Sequence, residues 1–169
     1  MFSRRQILLF SAGAGSTLAA PATAQTWKTY RNARFGTSIE YPDRFRPGRP
    51  PQNGGGLSFS SNDGASFLIY GSHNALEHDL AGLESFIKEN RDAGESITYE
   101  ARGANWFVLS GRKDDTEFYE RYLLSHNRSI VNGFVITYPA RLRTAYDQIV
   151  TRMSRSFRAS PGNDTEGAP

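Results

Sequence analysis

The sequence predicts an α+β domain, an antiparallel β-sheet of about six or seven strands flanked by two main helices. Three observations carry this. Short runs of alternating apolar and polar residues are separated by turn-forming clusters at Asn62-Asp63-Gly64, Gly103-Ala104-Asn105, Lys113-Asp114-Asp115 and His126-Asn127-Arg128. Strands joined by such short turns must run antiparallel. Two other stretches carry a helical stripe: Leu76, Leu80, Leu83 and Phe86 or Ile87, then Leu142, Ala145 or Tyr146, Ile149, Met153 and Phe157. The resulting order, β-β-β, α, β-β-β-β, α, leaves two amphipathic helices to cover the sheet.

Thr37–Tyr41 alternates as a strand and stops at Pro42, because proline has no N–H for the ladder. The same stop recurs at Tyr138-Pro139, so the echo between Ile39-Glu40-Tyr41-Pro42 and Ile136-Thr137-Tyr138-Pro139 reads as two strand ends and not as a duplication. Arg46–Gly56, with Pro47, Pro50, Pro51 and a run of glycines, is a loop. Leu57–Ser60 and Ser66–Tyr70 pair through Asn62-Asp63-Gly64, residues that tolerate the positive φ of tight turns. Asn74, with Glu77 three residues on, has the pattern of a capped helix start. A helix of roughly 16–18 residues then runs to a stop at Gly94. Ile97–Arg102 and Trp106–Ser110 form a second hairpin. Trp106-Phe107-Val108-Leu109 is apolar at every position, which predicts a central strand buried on both faces. Thr116–Ser125 and Ile130–Tyr138 follow, with Gly133 as a bulge. The last helix spans about Ala140 to Arg158, with Arg141, Arg143, Arg152 and Arg155 on its solvated side.

The organisation is a signal peptide over 1–24, a single domain over 25–158 and a small, polar, Pro/Gly-rich tail over 159–169 that is expected to be disordered. Ser3-Arg4-Arg5-Gln6-Ile7-Leu8 resembles a twin-arginine export signal, with Ile7 in place of the usual Phe. The apolar stretch Ile7–Ala20 is too short, and too diluted by Gly and Ser, for a stable membrane anchor. Ala22 and Ala24 supply the small side chains a signal peptidase needs, which puts cleavage between Ala24 and Gln25. The expected location is therefore the bacterial periplasm or the medium. The chain has no Cys, which excludes disulfides, thiolate metal sites, iron–sulfur clusters and cysteine nucleophiles. Its formal net charge is +3, but Arg4 and Arg5 leave with the signal, and 18 basic against 17 acidic residues give +1 from residue 25 onward. That balance, with export, argues against a nucleic-acid partner. The charge is uneven: +4 over 28–49, −7 over 63–120 and +6 over 121–158. Basic ends that converge in the fold would make the molecule dipolar.

The stretch Asn32-x-Arg34-Phe35-Gly36-Thr37-Ser38-Ile39-Glu40-Tyr41-Pro42-Asp43-Arg44-Phe45 resembles the opening of Mog1/PsbP-like domains, a Gly, a short strand, a Pro and then an aromatic. The later layout, a hairpin, a helix, a run of antiparallel strands and a C-terminal helix, is also similar. The resemblance implies an α/β/α sandwich around an antiparallel sheet and an accessory or binding role without catalysis. The family has no single catalytic motif, so no site residue is carried over.

The densest group of metal-capable side chains is His73, Glu77 and His78, with Asp79 adjoining. His73 and Glu77 at i, i+4 would share a helix face, but a cap at Asn74 leaves His73 outside the first turn and His78 points elsewhere, so no metal site is assigned. Gly54-Gly55-Gly56 can cradle an anion through its N–H groups, yet lacks the Lys-Ser/Thr of a phosphate loop. His126 falls in a turn with no nucleophile identifiable nearby. Asp114, Asp115, Glu117 and Glu120 surround another turn, and strand alternation puts Glu117 with Tyr119 on one face and Glu120 with Phe118 and Tyr122 on the other. Neither a catalytic residue nor a cofactor is called for. The expected function is an exported, non-catalytic accessory or binding domain of the cell envelope, with another protein or an envelope component as partner. The alternative is a small periplasmic hydrolase or ligand- or metal-binding protein using acids and histidines in a cleft.

Overall fold

The computed structural model describes residues 25–159. The expected signal peptide, with Arg4, Arg5, Ala22 and Ala24, lies outside the described residues, as do residues 160–169 of the expected tail. Gln25, where the mature chain would begin, is the first residue described.

The strands are β1 (Trp27–Arg31), β2 (Ser38–Pro42), β3 (Arg46–Pro47), β4 (Gly56–Ser60), β5 (Ser66–His73), β6 (Ser96–Arg102), β7 (Trp106–Lys113), β8 (Thr116–Ser125) and β9 (Ile130–Pro139). Helix α1 (Leu80–Glu89) falls between β5 and β6, and α2 (Arg143–Ser156) follows β9 through a short 3-10 turn. Seven strands form one antiparallel sheet in the order β3-β4-β5-β9-β8-β7-β6, while β1 and β2 pair as a separate hairpin. This is the α+β sandwich expected. Each of its two cores is closed by a different layer.

On one face, α2 and the β1–β2 hairpin cover the sheet. Ile39, Phe45, Phe67, Phe134, Tyr146, Met153 and Phe157 are all almost wholly buried there, around a stacked Phe59–Phe67 pair with ring centroids 4.4 Å apart. Alternation sends the other residues of the same strands to the opposite face. There Leu83 of α1, with Leu80 and Ile87, packs on Phe107, Leu109, Tyr122 and Leu124. The Lys- and Arg-rich ends of the chain thus share one layer, in β1, β2 and α2, and the acidic middle supplies α1, β6 and the β7–β8 turn. Among the described residues, no helix is long and apolar enough to cross a membrane.

Several expectations are corrected. Strand β1 precedes the first expected strand: Lys28, Thr29 and Arg31 are all exposed, so no alternation marks it, and its pairing with β2 holds it. Helix α1 begins six residues after Asn74. Its N-cap is Asp79, whose carboxylate accepts the Gly82 N–H at 2.7 Å. Asn74 instead closes the preceding loop: its amide donates to the His78 and Arg128 carbonyls, both at 2.8 Å, and its oxygen accepts the His78 N–H at 3.2 Å. The helix ends at Glu89, with Asn90 as C-cap, so it is 10 residues long. Gly133 is not a bulge, since the ladders run through it without a shift, as Tyr70↔Gly133 and Tyr122↔Gly133. A Cβ there would sit 2.3 Å from the Tyr70 ring, so glycine makes room for the tyrosine. The bulge lies in β6, between Ile97 and Tyr99. Strand β7 is buried on both faces, with Phe107, Val108 and Leu109 all almost inaccessible, but β9 is the central strand and β7 is one in from the β6 edge.

Candidate functional site

The β1–β2 connection is a compact loop built by Asn32. The Asn32 side-chain oxygen accepts the N–H groups of Arg34 and Phe35 at 3.0 and 2.7 Å, and its amide donates to the Gly54 carbonyl at 2.8 Å. Such an Asx turn mimics a backbone turn and explains why a buried asparagine stands here. Gly36 completes the turn at φ +68° and its N–H donates to the Asn32 carbonyl. Phe35 is laid against Gly71 of β5, so closely that a Cβ at Gly71 would fall 2.4 Å from the Phe35 Cβ. The stretch that carries the family resemblance is therefore the scaffold of this loop.

The loop forms one wall of a cleft of about 720 Å³ at one end of the sheet. Arg31, Arg34 and Phe35 line it from the loop, His73 from the end of β5, and His126, Ser129 and Ile130 from the β8–β9 turn. Phe35 organises the wall: the Arg34 guanidinium lies over its ring at 4.9 Å and the His73 ring meets it edge-on at 5.4 Å. The opposite wall is held in an unusual conformation. His126, Asn127 and Arg128 are all left-handed, with φ of 53°, 50° and 69°. Non-glycine residues seldom adopt this region, and three in succession need outside support. It comes from a polar chain behind the cleft. Thr37 Oγ1 donates to the Asn132 side-chain oxygen (2.8 Å), Asn132 donates to Ser125 Oγ (2.9 Å), and Ser125 Oγ shares a hydrogen with His126 Nδ1 (3.1 Å). Thr37 and Asn132 are wholly buried and Ser125 nearly so. Ser125 is thus a buried link that orients His126.

His73 lines the cleft and also a shallower pocket beside it, shared with Glu77, Asn127, Arg128 and Ser129. Glu77 is in the loop before α1 at φ +53° and not on a helix, so the expected i, i+4 helix face for His73 and Glu77 does not form. His78 turns onto Phe86, with ring centroids 5.3 Å apart. Among the described residues no three His, Asp or Glu side chains gather as a metal-holding group. The Gly54–Gly56 segment is tied down by Asn32 and by the Gly71 N–H donating to the Gly55 carbonyl, and so it is not a free loop.

The acids near β8 do not converge. Asp114 and Asp115 are exposed in the β7–β8 turn. Glu117 and Glu120 lie on opposite faces of the sheet. Arg143 approaches Glu117 at 3.7 Å, and Arg91 grips Glu120 with two nitrogens at 3.0 and 3.1 Å. Burial alone would weaken the Arg91 charge, but the Glu120 carboxylate reverses this and raises its pKa. Tyr122, hydrogen-bonded to Glu120 at 3.3 Å, is pushed up by burial, then by Tyr70 and Glu120. Burial, with the Glu120 charge, pushes Tyr70 up to about 12. Phenols held this high stay protonated at neutral pH and cannot act as bases. This group ties the segment that follows α1 to the sheet.

The basic cleft was not legible in the sequence, since its lining comes from three distant segments. The only signals were the Arg31/Arg34 pair beside the loop motif and a histidine in each of two strand-end segments.

No protein-family model matches the chain, and no curated protein sequence does. Its fold is that of the Mog1/PsbP-like sandwich, as the Asn32–Phe45 stretch led one to expect. The solution structure of cyanobacterial PsbP (CyanoP) from Synechocystis sp. PCC 6803 is similar at a TM-score of 0.62 and 13% identity, over 83% of this chain and 96% of that one. The Saccharomyces cerevisiae Ran-binding protein Mog1p is similar at a TM-score of 0.56 and 11% identity, over 80% of this chain and 96% of that one. At such identities the likeness is one of fold.

Proposed function

We propose that this chain is an exported accessory domain of the bacterial cell envelope that binds another envelope protein and performs no chemistry of its own. The observation that carries this reading is the cleft between the β1–β2 loop and the β8–β9 turn. It is lined by arginine, histidine and phenylalanine and suits recognition; the Ser125 hydroxyl behind it is buried, and that of Ser129 beside its histidines donates to the His126 carbonyl at 2.7 Å. That one protein of this fold, Mog1p, is described as Ran-binding supports a protein-docking role for the sandwich. The twin-arginine pattern and the Ala22-x-Ala24 site support export.

Two measurements test this. After expression of the full chain in a bacterium with the twin-arginine route, the periplasmic product should begin at Gln25, and Arg4→Lys with Arg5→Lys should hold the precursor in the cytoplasm. Cross-linking in periplasmic extract should then capture a protein through the cleft, and this capture should fail for Arg31→Gln with Arg34→Gln. Cytoplasmic retention of the unprocessed wild type would overturn export. Turnover of ester or phosphoester substrates that is lost on substituting His73 or His126 would favour the hydrolase alternative.

A further inference from the structure

We propose that the occupant of the cleft is an extended acidic peptide segment of the partner, its carboxylates held by Arg31, Arg34 and Arg128. This rests on the binding role proposed above and names the chemistry recognised.

The first ground is charge. No acidic side chain lines the first section of the groove, Glu77 and Asp79 border only the sections beyond it where Arg128 lies, and Arg31, Arg34 and Arg128 take part in no salt bridge among the described residues. Arg34 is held in place without being neutralised, by the Phe35 ring beneath it and by donation to the Asn53 carbonyl at 2.6 Å. A guanidinium so fixed presents its remaining donors as a planar fork that matches a carboxylate.

The second ground is shape. The cleft adjoins the shallower pocket at His73 and Ser129, and that pocket adjoins a third at Asn127 and Arg128, so one groove runs around the β8–β9 turn. A volume of about 720 Å³ in the first section alone far exceeds one bound carboxylate or phosphate. An extended chain, advancing about 3.3 Å per residue, can place several side chains along such a track. Phe35 and Ile130 give the floor an apolar component, which suits a peptide more than a free inorganic ion. The left-handed turn that presents Arg128 is held by the buried Thr37–Asn132–Ser125–His126 chain, so the groove is formed before anything binds.

The test uses the chain from Gln25 onward, processed as in the cell. The probe is a fluorescein-labelled peptide of eight alternating Glu and Ala residues, read by anisotropy against the same peptide with Gln for Glu. Binding should be seen for the Glu peptide only and should weaken as salt rises. Arg31→Gln with Arg34→Gln should weaken it about tenfold. Arg112→Gln with Lys113→Gln removes as much charge from the opposite end of the sheet and should leave it unchanged. Unchanged circular dichroism and urea midpoints will show that both variants fold. Equal loss in the two variants would overturn the proposal in favour of unspecific attraction. Competition by inorganic phosphate as strong as by unlabelled peptide would overturn it in favour of an oxyanion site. Absence of Glu-peptide binding, with protein cross-linking in extract still dependent on Arg31 and Arg34, would overturn the acidic-peptide assignment while the binding role stands.

Discussion

Asp63 ties three elements together from a single turn position. One carboxylate oxygen accepts the Ala65 N–H at 3.2 Å within the β4–β5 turn, and the other accepts the Tyr146 hydroxyl of α2 at 2.7 Å. Arg44 approaches the same oxygen at 3.6 Å while lying over the Tyr146 ring. Burial pushes the Asp63 pKa up, but the hydrogen bonds from Tyr146, Ala65 and Ser61, with the Arg44 charge, outweigh it and hold the group below the usual aspartate range. The unfolded chain therefore takes up this proton first as pH falls. The stabilisation is complete above an unfolded aspartate pKa of about 3.9 and disappears as pH drops through the lower folded value. Asp63→Asn should be less stable than the wild type at pH 7, and the difference should close on acidification. Urea midpoints across the acid range will show this, and parallel curves would refute it. The turn itself is legible in Asn62-Asp63-Gly64, and Tyr146 is legible as a residue of an apolar helix face. Their meeting is not, because local patterns say nothing about which helix end reaches which turn. The same holds for the cleft, where Asn32-x-Arg34-Phe35-Gly36 is recognisable but its opposite wall comes from β5 and the β8–β9 turn.

Elements were legible wherever one periodicity ruled. The hairpins at Gly103–Asn105, Lys113–Asp115 and His126–Arg128, the two proline strand stops and the buried face of α2 all follow from alternation, turn residues and a 3.6-residue stripe. The start of α1 differs from the sequence expectation because two cap-like residues compete. Asn74 with Glu77 has the spacing of a capping box, whereas Asp79 has the geometry. Leu76 extends the apolar stripe into the loop but is exposed. Tertiary contact settles the choice, since the Asn74 amide is spent on the Arg128 carbonyl of the β8–β9 turn. Asp79→Ala should therefore cost about 1 kcal/mol, as expected for a lost N-cap. Glu77→Gly should be neutral or stabilising, because Glu77 is strained at φ +53° and glycine is not. A capping box at Asn74 would reverse that order, with Glu77→Gly the more damaging substitution. Urea unfolding of the two variants separates the cases.

For the whole molecule, the absence of Cys leaves the two packed layers as what holds the described domain together, and its C-terminal end shows how the larger one closes. Helix α2 stops at Ser156, and Phe157 continues in extended backbone, almost wholly buried, with its ring 5.8 Å from that of Phe134 on the central strand. Arg158 then pairs with Ser38, each N–H donating to the other's carbonyl at 2.9 Å, which fastens the chain end beside β2. Phe157 falls on the helical stripe of the sequence, and nothing local marks that the chain leaves the helix there and sets Arg158 as an extra rung on the β1–β2 layer, because that rung exists only once distant segments meet. The basic ends of the chain are joined at this seam, and their repulsion is offset by pairs such as Arg152 with Glu40 at 2.8 Å. A domain boundary immediately after this rung, as the sequence leads one to expect, can be tested by truncation. Phe157→Ala should then cost about 3–5 kcal/mol, the range for emptying a buried phenylalanine site. Ending the chain after Ser156 should cost at least as much, since it also removes the Arg158 pairing, whereas ending it after Ala159 should leave the urea midpoint where it is. If removing residues 160–169 alone lowered the midpoint as far as Phe157→Ala does, the domain would extend past residue 159 and this boundary would be wrong.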